Sequence, residues 1–167
     1  YYRFIVALYL PLQYGAFLWG LWLLATAELG PAAQLGLALS LGGIGGIGIN
    51  AAHELGHKHP AWERWLAKVG LAQVAYGHFC VVHNRGHHAR VSTPQDPASA
   101  RFGESFWRFL PRTVAGGLRS AWAIEARTLA RRGGGPWHWR NQNLQAWSLS
   151  ALLWGACLGY FGIHLLP

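Results

Sequence analysis

Residues 29–58 read LGPAAQLGLALSLGGIGGIGINAAHELGHK. From Leu29 to Ala52 there is no Asp, Glu, Lys or Arg, and the stretch runs without a break into His53-Glu54-Leu55-Gly56-His57-Lys58. Its 24 residues rise roughly 36 Å as an α-helix at 1.5 Å each, enough to cross a hydrocarbon core of about 30 Å. A helix continuing past Ala52 places His53 and His57 one turn apart on one face. The same segment therefore predicts a membrane span and a pair of imidazoles at its end.

Two further stretches of equal length lack charge, Phe4–Ala27 and Leu144–Pro167. Glu28, Gly30 and Pro31 separate the first two by a tight turn, so spans over 4–27 and 29–52 form a transmembrane hairpin, and 144–167 forms a further transmembrane helix. The 167 residues suit one domain; 52% are hydrophobic and 12% charged, which excludes a disordered chain and argues against a water-soluble globule. The expected fold is an all-α integral membrane helical bundle. Thirteen of the 14 basic residues lie between Lys58 and Arg140, and the other is Arg3. The positive-inside rule then assigns Arg3 and region 53–143 to the cytoplasmic side. Within that region the arginines alternate with Phe106, Trp107, Phe109, Trp122 and Ile124, a pattern for helices lying in the membrane interface rather than a nucleic-acid reading module.

With no methionine and an apolar run at each end, the sequence reads as an excerpt of a longer one. Cys80 and Cys157, 77 positions apart, have no metal-type spacing and read as buried thiols. Gly43-Ile44-Gly45-Gly46-Ile47-Gly48 matches a dinucleotide fingerprint in letters only, since no strand precedes it. Gly42 and Gly46, at GxxxG spacing, predict close helix packing instead.

Seven of the nine histidines fall between positions 53 and 88. After His53 and His57 comes His83-Asn84-Arg85-Gly86-His87-His88, where His83 and His87 again stand four apart. Imidazole suits iron, zinc, copper or nickel, whereas Mg²⁺ and Ca²⁺ take oxygen ligands. His59, His78, His138 and His164 read as interfacial histidines satisfying hydrogen bonds. HELGH by itself also matches a zinc protease, with Glu54 as general base; its longer form would need Gly and His where Pro60 and Glu63 stand. Three more histidines exceed what one zinc requires and point to two metals.

HELGHK followed about 25 residues later by HNRGHH resembles the first two histidine boxes of the membrane-bound non-haem di-iron family, which includes fatty-acid desaturases, xylene monooxygenases and alkane hydroxylases. Asn50-Ala51-Ala52-His53, Tyr76-Gly77-His78-Phe79, Thr93-Pro94-Gln95-Asp96-Pro97-Ala98 and Gly103-Glu104-Ser105 narrow the resemblance to the rubredoxin-dependent bacterial alkane hydroxylases (alkane 1-monooxygenases). That resemblance implies O2-dependent terminal hydroxylation of medium- or long-chain n-alkanes to primary alcohols. It makes His53, His57, His83, His87 and His88 ligands of a two-iron non-haem centre. Glu54 becomes a residue that orients a histidine. Asp96, in the turn-forming Thr93-Pro94-Gln95-Asp96-Pro97, reads as a loop cap, with support of a metal ligand as the alternative. Reduced rubredoxin, with its NADH-dependent reductase, would supply electrons and dock on Arg85, Arg90, Arg101 or Arg108. The setting implied is the bacterial inner membrane, with the boxes on its cytoplasmic side. Val82 stands where the family usually has glutamate. The family's third box, HxxHH, would lie beyond Pro167, so this stretch alone is expected to be inactive.

Overall fold

The computed structural model describes residues 2–162; His164 and the last part of the third expected span lie outside the described residues. α1 is Tyr2–Thr26 and α2 is Pro31–Gly56. Pro31 opens α2 directly after an extended Gly30, since proline's fixed φ suits a first helical position. Helix α2 runs through the first histidine box, as expected, and the His57 N–H closes it on the His53 carbonyl at 3.2 Å. Among the described residues α1 and α2 are the two helices long and apolar enough to cross a membrane. Their outer faces expose Trp19, Trp22, Leu35, Leu39 and Ile47, a surface suited to lipid. Every described element is helical or turn, with no strand.

The chain divides into two compact units: residues 1–75 with 149–167, and residues 76–148. In the first, α3 (Ala61–Ala72) packs on α2. Arg3 reaches the buried Glu63 with two bonds of 2.8 Å, which puts the start of α1 at the level of the α2–α3 turn. Tyr9 donates to the Ile44 carbonyl at 2.9 Å and Tyr14 to that of Val69 at 2.7 Å. Phe17 and Leu21 bury against Cys157 of α7 (Gln142–Phe161), with Leu153 and Trp154 beside them. Cys157 is buried as expected, and Cys80 is half-buried.

The close approaches to α2 are not made at Gly42 and Gly46, where an added Cβ would meet nothing within 4 Å. They fall at Gly45, whose Cβ would lie 2.9 Å from Val74, and at Gly48, which faces the Gln13 amide. The neighbours here are a segment after α3 and one side chain of α1, not a helix crossing at GxxxG spacing.

In the second unit, α4 (Phe79–Val82), a π-turn (His83–His87) and α5 (His88–Arg90) follow one another without a gap. Helix α6 (Phe106–Ala130) buries Gly117, Ala121, Ile124 and Glu125, at the spacing of one helical face. Val81 and Val82 pack on Ala121 and Ile124. Trp107, Leu110, Val114 and Leu118 are exposed on α6, and the arginines 108 and 119 beside them are exposed too. That surface fits the interfacial helix expected from the sequence. Asn141 caps the start of α7, its Oδ1 accepting from the Asn143 and Leu144 amides at 2.9 and 3.4 Å as N-cap residues do. The helix therefore begins two residues ahead of the expected 144.

Between α5 and α6 the loop is tied down by Arg112, which donates to Glu104 at 2.6 and 2.7 Å and to the Pro97 and Ser99 carbonyls at 3.1 and 2.9 Å. The Arg112 hydrogen bonds, with the Arg101 amide, hold the Glu104 carboxyl at about 2 against an ordinary 4.5. Because the folded value is the lower one, the stabilisation is complete above 4.5 and is lost as pH falls through about 2. The melting-temperature difference between the native chain and Glu104→Gln is expected to shrink across that window. A pH-independent difference would refute the assignment.

Candidate metal centre

In the first unit, a regular α-helical turn sets His53 and His57 on one face of α2, and their Nε2 atoms stand 2.8 Å apart. This is the arrangement expected from the i,i+4 spacing. Glu54, one residue on, points to a different partner: its carboxylate lies 3.5 Å from the Lys58 ammonium. The structure therefore pairs Glu54 with a cation one turn along the helix.

In the second unit the spacing expectation is corrected. The His88 N–H reaches back to the His83 carbonyl, a five-residue turn rather than four. The extra residue rotates the next side chain into the place an α-helix would give its predecessor. His83 thus faces His88, Nε2 to Nε2 at 3.0 Å, while the His87 ring stacks on that of His83 with centroids 5.4 Å apart. Gly86 lets this turn lie against α6, because a Cβ there would come within 3.1 Å of Ile124 and 3.3 Å of Val82. Two adjacent histidines following a glycine were the only hint of this in the sequence.

Displaced from that pair, His87 donates through Nδ1 to Asp96 Oδ2 at 2.7 Å. Asp96 also accepts from the Ser99 hydroxyl at 2.6 Å and the Ala98 amide at 3.1 Å. It both caps its loop, as expected, and orients a histidine, the alternative role. Burial alone would raise the Asp96 carboxyl, but the bonds from Ser99, His87 and Ala98 prevail and hold it below the usual carboxylate range. A charged Asp96 fixes the Nδ1–H tautomer of His87 and leaves Nε2 as the basic nitrogen, the arrangement common for metal-binding histidines.

Val82, where the family pattern has a carboxylate, is buried in the apolar contact with α6. Glu125, a buried carboxylate on α6, takes the Arg85 guanidinium and, at 2.8 Å, the Gln142 amide. Arg90 is likewise committed inward, to Ser120 at 2.7 Å and the Gly86 carbonyl at 3.3 Å. Of the four arginines considered for docking, Arg101 and Arg108 are the exposed ones. His138 accepts from the Arg140 amide at 3.1 Å, as expected of an interfacial histidine. His78 departs from that expectation: it is buried between the Tyr76 and Trp147 rings, with both ring nitrogens lacking a partner, and burial pushes its imidazole below the ordinary range.

The donor set fits a metal. Two ligand nitrogens at right angles on an ion with bonds of ~2.1 Å stand about 3.0 Å apart, close to the separation within each pair. Neutral imidazoles supply no charge, so they favour a transition metal over Mg²⁺ or Ca²⁺.

The fatty acid desaturase family profile matches residues 29–167. Over 99% of its length the chain is 42% identical to an alkane 1-monooxygenase of Pseudomonas putida, covering 41% of that protein. It is 43% identical to alkane 1-monooxygenase 1 of Alcanivorax borkumensis, over 97% of this chain and 40% of the relative. A xylene/toluene monooxygenase hydroxylase component of Pseudomonas putida is 31% identical over 79% of the chain and 36% of its own length. The chain thus spans about two-fifths of the length of the curated relatives it matches first.

Proposed function

The chain belongs to the fatty acid desaturase family, and from that premise we propose that it forms part of an alkane hydroxylase. The reaction is O2-dependent hydroxylation of the terminal methyl of medium- or long-chain n-alkanes to primary alcohols, at a non-haem centre of two irons. The names of the relatives support the activity. The observation that supports the centre is the facing of Nε2 atoms within each histidine box, at 2.8 and 3.0 Å.

In this reading His53, His57, His83 and His88 hold iron through Nε2, and His87 does so with Asp96 fixing its tautomer. Bound iron would supply the activation of O2. The chain's own residues then have simpler tasks. The π-turn sets the angle of the second box, Asp96 orients His87 and fixes its tautomer, and α1 and α2 provide an apolar medium for the alkane. Glu54, paired with Lys58, helps to hold the end of α2. The zinc-protease reading of HELGH finds no support among the relatives, which are monooxygenases.

Electrons would come from rubredoxin and its NADH-dependent reductase. An acidic carrier suits the exposed Arg101 and Arg108 on the basic side of the membrane, assigned to the cytoplasmic face of a bacterial inner membrane by the charge distribution. The test is a graft of residues 1–167 into the matching segment of the Pseudomonas putida relative. Expressed with rubredoxin and reductase, it is expected to convert n-octane and ¹⁸O2 to ¹⁸O-labelled 1-octanol, with iron bound. A membrane-inserted graft that binds zinc in place of iron and yields no labelled alcohol would overturn the proposal.

A further inference from the structure

A series of aromatic rings runs through the second unit, all within residues 76–148. The rings of Tyr76, Phe79 and His83 are stacked, with centroids 5.4 and 4.8 Å apart. Tyr76 also meets His78 edge to face at 4.8 Å, and His78 meets Trp147 at 6.3 Å. Trp147 and Trp122 lie parallel at 5.9 Å, and Trp122 meets Trp137 at 5.0 Å. Trp137 is 75% exposed. The series therefore leads from a histidine of the candidate metal centre to the surface of this unit.

As packing, such ring pairs contribute about 0.5–1.5 kcal/mol each, and packing needs no unbroken series. Two observations at the inner end go further. Tyr76 lines, with His83, His87 and Thr113, a cavity of about 30 Å³, the space of one water. A phenol thus shares a small chamber with two of the imidazoles. His78 is 6% exposed, and neither of its ring nitrogens has a hydrogen-bond partner. Burying an imidazole that way is costly, and the rings on which it lies are Tyr76 and Trp147. Kept neutral by burial, it bridges them without adding a positive charge that would oppose oxidation of either. Sulfur aside, phenol and indole are the side chains that lose one electron most readily. Tyr76, Trp147, Trp122 and Trp137 are then stations for an oxidising equivalent, and Phe79 and His78 are the bridges.

We propose that this series is a redox relay, which drains oxidising equivalents from the metal centre to the surface when O2 is taken up with no alkane to oxidise. It rests on the hydroxylation reading for its oxidant. Tyr76 gives one electron toward His83 and leaves its phenol proton to water in the cavity it lines. Trp147 returns an electron to Tyr76, which takes its proton back. The vacancy passes to Trp122 and then to Trp137, where a soluble thiol fills it. No bond between heavy atoms changes along the relay. Two such passages join two thiols in one disulfide. With the two electrons of the irons, the two thiol protons and two protons from solution, they reduce one O2 to two waters.

The relay is tested without iron, in the same graft into the Pseudomonas putida relative held in lipid nanodiscs. Gly135→Cys puts a thiol two residues from Trp137, at an exposed position where an added Cβ meets nothing within 4 Å. Other accessible cysteines, the half-buried Cys80 among them, are changed to serine. A ruthenium polypyridyl attached there and flash-oxidised takes an electron from Trp137. The expected result is a tryptophan radical followed by a tyrosyl radical, seen optically and by EPR, with the tyrosyl lost in Tyr76→Phe. Trp147→Phe and Trp122→Phe each keep a ring but not an easily oxidised one, and each should lower the tyrosyl yield by an order of magnitude. Trp139→Phe, off the path against His138 and Arg140, should leave it unchanged. No tyrosyl radical, one that survives Tyr76→Phe, or one undiminished in whichever of the two tryptophan variants folds would overturn the relay.

The draining role is read in the iron-loaded graft, reduced and then exposed to O2 without alkane. By mass spectrometry, Trp147→Phe should carry several-fold more added oxygen in the peptide holding His83–His88. Equal damage with iron bound would overturn that role. A graft that binds no iron would overturn the hydroxylation reading beneath it, and the flash experiment would still decide the path.

Discussion

Replacing His83 with alanine is expected to lower the affinity of the chain for Fe²⁺ or Co²⁺ by at least about 100-fold, roughly 2.8 kcal/mol. The side chain sits at the first position of the π-turn and faces His88 at 3.0 Å, so its loss leaves His88 without the neighbouring donor it needs to share an ion. Asp96→Asn removes a supporting carboxylate and keeps every imidazole. It should cost about tenfold, the lower end of what losing such a partner does elsewhere. Titration followed by the visible absorption of Co²⁺ distinguishes the two variants. Equal losses from His83→Ala and from an exposed histidine such as His59→Ala would show that the pairs hold no metal.

A second large effect is expected at Glu125. Its carboxylate is 2% exposed on α6 and receives both the Arg85 guanidinium of the π-turn and the Gln142 amide at the head of α7. Glu125→Leu strands two donors at once. Breaking a buried ion pair from one side costs about 3–5 kcal/mol, and the partial exposure of Arg85, at 34%, reduces this to about 2–3 kcal/mol. For a chain of this size, the melting temperature should fall by roughly 6–10 °C. Arg85→Met combined with Glu125→Leu should recover part of that loss, because no uncompensated charge remains. A melting temperature for Glu125→Leu within about 2 °C of native would show that the pair contributes little.

The hairpin and the first histidine pair were legible because both follow from one uninterrupted helical period. A charge-free run long enough to cross a bilayer ends in HELGH, and nothing between Pro31 and Gly56 breaks the helix. The second box was legible in composition and not in geometry. Counting at 3.6 residues per turn selects His87, whereas the π-turn selects His88, and that choice depends on how Gly86 packs against Ile124 and Val82. Long-range packing of this kind leaves no periodic trace. The same limit applies to Gly42 and Gly46. Their spacing matched a helix-crossing motif, but the segments that approach α2 do so at Gly45 and Gly48. Asp96 was read as a loop cap from its turn-forming neighbours, with support of a metal ligand as the alternative, and neither reading could single out His87, nine residues back, as its partner.

The five-residue turn at His83 also bears on how such a site tolerates change. Helical phase there is stored in residue count, not in side-chain identity. Deleting one residue between His83 and His88 would restore the common period, bring the later of the two neighbouring imidazoles to four residues' distance, and pull the earlier one off its aspartate. A single-codon length change could thus reassign which nitrogen meets which partner while every histidine codon stayed intact.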